Sequence, residues 1–150
     1  MEMKKLLTIL LTLTLVFVFT ACGDNGADST DYSEVYDSLV GQYQDSVSQR
    51  AVASIERTDD GCHMIVSWGN SAFEFVVWEM NLAYDGEKLT YTDCKTSVVT
   101  YEGTDEEATE SEEVISENGE GYFLLEDGVL AWEGAQDINC QECRFEKFDF

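Results

Sequence analysis

Five cysteines and a single histidine are the residues of this 150-residue chain best suited to covalent or metal chemistry. Cys140-Gln-Glu-Cys143 has the CxxC spacing of redox-active pairs and of half a zinc site. A redox pair of that kind opens a helix in a βαβ setting, whereas here Glu142 lies inside the pair and the neighbouring segments read as strands. Zinc would need a second ligand pair. Cys62-His63 supplies it poorly, because adjacent residues on a strand point to opposite faces. A serine or cysteine hydrolase assisted by histidine would have to use His63, which alternates with Cys62 and Met64 and is read as facing away from the core. No GxSxG elbow, EF-hand spacing or glycine-rich phosphate loop accompanies it. Thirty-one acidic residues offer many carboxylate pairs for glycoside cleavage and single out none. The expectation is a non-enzyme without metal or cofactor.

The fifth cysteine belongs to a different chemistry. Lys4 and Lys5 form a basic start, Leu6 to Phe19 is a fourteen-residue run without charge, and Phe19-Thr20-Ala21 leads into Cys22. That order is a secretory signal, and its length falls short of the roughly 20 apolar residues of a membrane span. The tetrapeptide Phe19-Thr20-Ala21-Cys22 resembles the lipobox of bacterial lipoproteins, with Phe where Leu is usual. The resemblance implies cleavage before Cys22 and diacylglycerol on its thiol. Two acyl chains anchor stably where one is marginal. The expected address is the outer face of the cell membrane, with residues 1–21 as signal, 22–30 as a flexible tether and 31–150 as one domain.

Cleavage would leave six basic and thirty acidic residues, a net charge of −24 on 129 residues. Nucleic acid is excluded as a partner, since phosphate contacts demand Lys and Arg. Electrostatic adhesion to anionic lipid is excluded for the same reason. Cationic proteins and peptides are the partners such a field favours. The length suits one core, and the chain's eighteen aromatics, sixteen of them beyond residue 21, can fill it. Cys62, Cys94, Cys140 and Cys143 are an even set in an exported chain, which reads as a framework of two disulfides.

Local patterning sets the elements that position these residues. Tyr32, Val35, Tyr36 and Leu39 form one stripe of a short helix, capped by Ser29 or Thr30. Beyond Val40 the hydrophobic period becomes two. Around Gly69-Asn70, Met64, Val66 and Trp68 meet Phe73, Phe75 and Val77 on one face. Around Asp85-Gly86, Met80 and Leu82 share a face with Leu89 and Tyr91. Around Asp127-Gly128, Phe123 faces Trp132 and Leu125 faces Leu130. The change of parity at Val77-Trp78 calls for a β-bulge. Further strands are expected at 51–57, 95–102, 114–116 and 144–148, and residues 103–121 read as a solvated acidic loop. These registers put Cys62 and Cys94 two strands apart, about 9.5 Å, too far to bridge. Cys140 and Cys143 remain able to close a tight local loop.

The expected fold is all-β: a small antiparallel meander barrel or strongly bent sandwich of about nine or ten strands, preceded by a short helix. Gly41-Gln42-Tyr43 after the helix, with Arg144 on the closing strand, resembles the Gly-x-Trp and late Arg of lipocalin-like barrels, with Tyr in place of Trp. The body also resembles small secreted lipoproteins of Gram-positive bacteria. Trp68, Phe73, Phe75, Trp78, Phe123 and Trp132 are candidates to line an apolar ligand cavity, or else to fill the core. Three functions are therefore expected, in order: a membrane-anchored, non-catalytic binding module; an acidic capture module for cationic lysozyme-like enzymes or antimicrobial peptides; and a carboxylate-based hydrolase.

Overall fold

The computed structural model describes residues 30–103, 108–133 and 142–148. The expected signal segment 1–21, most of the expected tether, Cys22 and Cys140 lie outside them. One short helix, α1 (Ser33–Leu39), precedes eight strands: β1 (Gly41–Asp45), β2 (Ala51–Arg57), β3 (Cys62–Gly69), β4 (Glu74–Tyr84), β5 (Lys88–Glu102), β6 (Thr109–Glu126), β7 (Val129–Glu133) and β8 (Arg144–Phe148). Each strand pairs antiparallel with the next, and β8 returns to β1, so the sheet closes into a barrel.

Alternation drives the closure. Every second residue of β2 (Ala51, Ala53, Ile55) and of β3 (Cys62, Met64, Val66, Trp68) is buried. Small side chains oppose large ones across that pair, Ala51 against Trp68 and Ala53 against Val66. The bulkiest interior residues thereby find room. The β6–β7 hairpin has the expected register, Phe123 opposite Trp132 and Leu125 opposite Leu130. Its turn places Asp127 at φ 51° and Gly128 at φ 86°, the two left-handed residues a type I′ turn requires.

Asp45 pins the seam. Its carboxylate is fully buried and accepts hydrogen bonds from the Arg144 amide at 2.9 Å, the Val47 amide at 3.2 Å and the Ser48 amide at 2.7 Å. One side chain thus holds the β1–β2 turn against β8. Burial alone would raise its pKa, but the bonds from Ser48, Arg144 and Val47 outweigh that and hold it below the usual value.

The helix caps one end of the barrel. Tyr36 and Leu39 are buried, and the Tyr36 hydroxyl accepts the Tyr84 amide at 2.8 Å. Tyr32 is the N-cap residue and no side chain caps the helix, in contrast to the expected Ser29 or Thr30. Tyr32 instead packs edge-on against Tyr84, 5.0 Å between ring centres.

Three differences from the expected elements have clear causes. Eight strands replace nine or ten because segments counted apart merge into β5 and β6. In the β3–β4 hairpin Trp68 opposes Val76 and Val66 opposes Trp78, so Ser71 to Phe73 belong to the turn and Phe73 is 59% exposed. Trp78, Met80 and Leu82 then carry the inward face of β4, and no parity switch occurs at Val77-Trp78. The bulge lies on β5. Glu79 opposes Lys95 while Ala83 opposes Thr90, which leaves one extra residue on β5, and Asp93 there takes φ 55°.

Candidate functional site

The barrel interior and the outer β4–β5–β6 face are the two places where chemistry concentrates. In the interior, Phe123 stacks on Trp132 with ring centres 5.2 Å apart and planes at 21°. Trp78 meets Trp132 edge-on at 5.4 Å, and Phe145 closes the cluster 6.3 Å from Trp132. The Trp132 indole donates to the Tyr91 hydroxyl at 2.9 Å, which pairs the two buried polar tips with each other. Burial is the main reason that the Tyr91 pKa rises to about 12, against a smaller lowering by the Trp132 bond. Gly121 is required beside this pair, because a Cβ there would land on the Tyr91 hydroxyl. Trp78 Nε1 is buried without a hydrogen-bond partner.

Of the six aromatics read as cavity candidates, Trp78, Phe123 and Trp132 are 1% exposed or less and Trp68 is 6% exposed. They fill the barrel with Tyr43, Met64, Met80 and Phe145. Phe75 is half-buried, paired with Val99 on the outer face, and Phe73 lies outside the barrel altogether. Two depressions among the described residues are at the surface. One, of about 570 Å³, lies beside Asp59, Asp60, Asn81 and Thr92; the other, of about 420 Å³, lies beside Val47, Glu142 and Arg144.

His63 stands on the outer face of β3, as its alternation implies. Its Nδ1 is 3.1 Å from Asn81 Oδ1 and its Nε2 is 3.4 Å from Glu79 Oε1. An amide and a carboxylate are its partners, so this contact set contains no nucleophile for it to activate. Among the described residues, no group of three or more His, Cys, Asp or Glu is disposed to hold a metal.

Cys62 and Cys94 are buried free thiols, which corrects the expected framework of two disulfides. They sit on β3 and β5 with β4 between them, two strand spacings of about 4.8 Å apart, past the Cα reach of a disulfide. The Cys62 thiol lies 3.7 Å from the Tyr36 carbonyl. Burial pushes the Cys94 pKa up to about 11 and raises that of Cys62, so both stay protonated and inert near neutrality. Cys143 is buried just before β8, and its main-chain carbonyl accepts the Trp132 amide at 3.0 Å.

The acidic stretch read as a loop is a strand over most of its length. Gly103 is a bend, and from Thr109 onward β6 pairs with β5, with Tyr101 opposite Glu110, Val99 opposite Glu112 and Val98 opposite Glu113. Cross-strand contacts explain the difference. Lys95 Nζ lies 2.7 Å from Glu112 Oε1, and bonds from Lys95 and Ser97 lower the Glu112 pKa. The Tyr101 hydroxyl donates to Glu110. Phe75 and Tyr101 pack edge-on at 5.9 Å on that same outer face. Residues 109–118 are all exposed, and β6 pairs with β7 only from Tyr122 to Glu126. Over 109–121 its second edge therefore has no strand partner among the described residues. A free edge of this length has no hydrophobic period to announce it; the only sequence signal is the β-branched Val114-Ile115 pair among the acids.

At the two points of lipocalin resemblance, Tyr43 is buried with its hydroxyl donating to the Leu39 carbonyl at 2.7 Å, and Arg144 turns its guanidinium outward, 3.4 Å from Glu126. Compared with known proteins, the chain matches no family model, no curated protein and no solved structure.

Proposed function

We propose that this protein is an extracytoplasmic lipoprotein, anchored through Cys22, whose barrel is a non-catalytic binding module working through its outer surface. The observation that carries the second half is the filled interior: Trp78, Phe123 and Trp132 occupy the space that a small apolar ligand would need. Binding then falls to the exterior: among the described residues Asp45 is the only buried carboxylate, and the chain after cleavage carries a formal charge of −24. Capture of cationic proteins or peptides is the partner class this field supports best. The anchor rests on the Phe19-Thr20-Ala21-Cys22 lipobox. A Cys140–Cys143 disulfide is part of the same proposal, supported by the CxxC spacing and by the free state of Cys62 and Cys94.

Two experiments test the reading. Growth with labelled palmitate should mark the wild-type protein and leave Cys22→Ser unlabelled; equal labelling of both removes the anchor. Immobilised mature protein should retain hen egg lysozyme at about 20 mM salt and release it by about 0.5 M, since surface attraction fades as the Debye length shrinks. No retention at low salt would remove the capture reading.

A further inference from the structure

The long strand β6 is paired along nearly its whole length by β5 and along only its last five residues by β7. From Thr109 to Gly121 one row of backbone N–H and C=O groups faces outward with no strand opposite, among the described residues. Such an edge is a template for one more strand. Glu110, Glu112, Glu113, Glu117 and Glu120 stand on it, and Lys95 on β5 forms an ion pair with Glu112. Glu110 and Glu112 share the outer face with Tyr101 and Val99. Glu113 pairs with Val98 and points to the other face, so the edge is acidic on both sides. Beside the two outer glutamates lies an uncovered aromatic and aliphatic strip, with Tyr101 at 37% and Val114 at 47% exposure.

We propose that the open edge of β6, residues 109–121, takes an extended, basic segment of a partner protein as a ninth strand, with lysine or arginine at alternate positions. The proposal rests on the capture reading above and names where and how capture occurs. Backbone pairing supplies the geometry, and two of the basic side chains come to lie directly across from Glu110 and Glu112 on the outer face, the cross-strand arrangement that opposite charges favour. The carbon stems of those side chains lie along Tyr101 and Val114. A second copy of this chain is a poor occupant, because its own glutamates would be brought against these. Helical or compact cationic partners would leave the edge groups unused.

The test uses a ten-residue peptide of alternating lysine and threonine with blocked ends, and a twin N-methylated at three alternate residues. The twin keeps the charge and loses the ability to form a ladder. Binding to the mature protein at about 20 mM salt is expected for the first peptide. Its affinity should fall at least about tenfold for the twin, the scale of one to three lost interstrand hydrogen bonds. The variant carrying Glu110→Gln, Glu112→Gln, Glu113→Gln and Glu117→Gln should also bind the first peptide at least about tenfold more weakly, with an unchanged circular dichroism spectrum and unfolding midpoint. Equal affinity for the two peptides overturns strand addition and leaves charge-driven capture standing. Retention of lysozyme without binding of either peptide does the same. Failure to retain peptide or lysozyme removes both readings. Dimerisation of the free protein through this edge, seen by sedimentation, overturns the choice of partner.

Discussion

The two ends of β6 are one strand in two environments. Tyr122 to Glu126 lies between β5 and β7, and Phe123 there is fully buried against Trp132. Thr109 to Asn118 is paired on one side only among the described residues and exposed along its length. The first segment contributes apolar burial to folding. The second contributes little burial and concentrates charge, with backbone groups free to pair. Stability and recognition are thereby separated along a single strand, so the acidic half is free to vary in charge without loosening the barrel.

The largest effect should come from breaking the stable end. Trp132→Ala removes a residue stacked on Phe123, edge-on to Trp78 and bonded to Tyr91. A loss of about 3–5 kcal/mol in urea unfolding is expected. A loss below about 1 kcal/mol would show that the cluster is loosely packed.

Gly121→Ala tests the boundary between the halves, since its methyl displaces the Tyr91 hydroxyl from Trp132. Overpacking of this kind costs about 1–3 kcal/mol. A smaller loss would mean that Tyr91 can rearrange freely.

Asp45→Asn acts at the seam between β1 and β8. The Asp45 pKa is lowered in the fold, so its contribution is complete above the unfolded value near 3.8 and is lost as pH falls through the folded value. The variant should be less stable by about 1–3 kcal/mol at pH 7. The gap to wild type should close as pH drops below about 3.8. A gap that is constant with pH would mean that the charge is irrelevant to the seam. The smallest effect belongs to the open end. Ile115→Ala, at 58% exposure, should move stability by no more than about 0.5 kcal/mol. A larger loss would place that half of β6 in the core.

What is legible in the sequence is whatever is local. Asp127-Gly128 sets its own hairpin register, because a type I′ turn fixes the pairing of Phe123 with Trp132 through adjacent residues alone. Strands β2 and β8 have the boundaries their alternation implies. The Gly69-Asn70 hairpin misleads because Phe73, apolar and in phase, mimics a strand residue while sitting in the turn. Counting from Phe73 also shifts the expected bulge onto β4. Its true signal is the polar Thr92-Asp93 pair between inward Tyr91 and Cys94, with an aspartate able to adopt positive φ. The acidic strand is hidden because its conformation is imposed by β5 and not by a hydrophobic face of its own. Alternation alone leaves the interior either filled or hollow, and only the register of all eight strands decides between them.

Hydrogen exchange along β6 tests the division between its two ends most directly. Slow amides are predicted throughout 122–126, with alternating fast and slow amides over 109–114, where the pairing with β5 is regular, and the fast set should slow when the lysine–threonine peptide is added. Uniform protection along β6 in the free protein, or fast amides that the bound peptide leaves unchanged, would contradict that division.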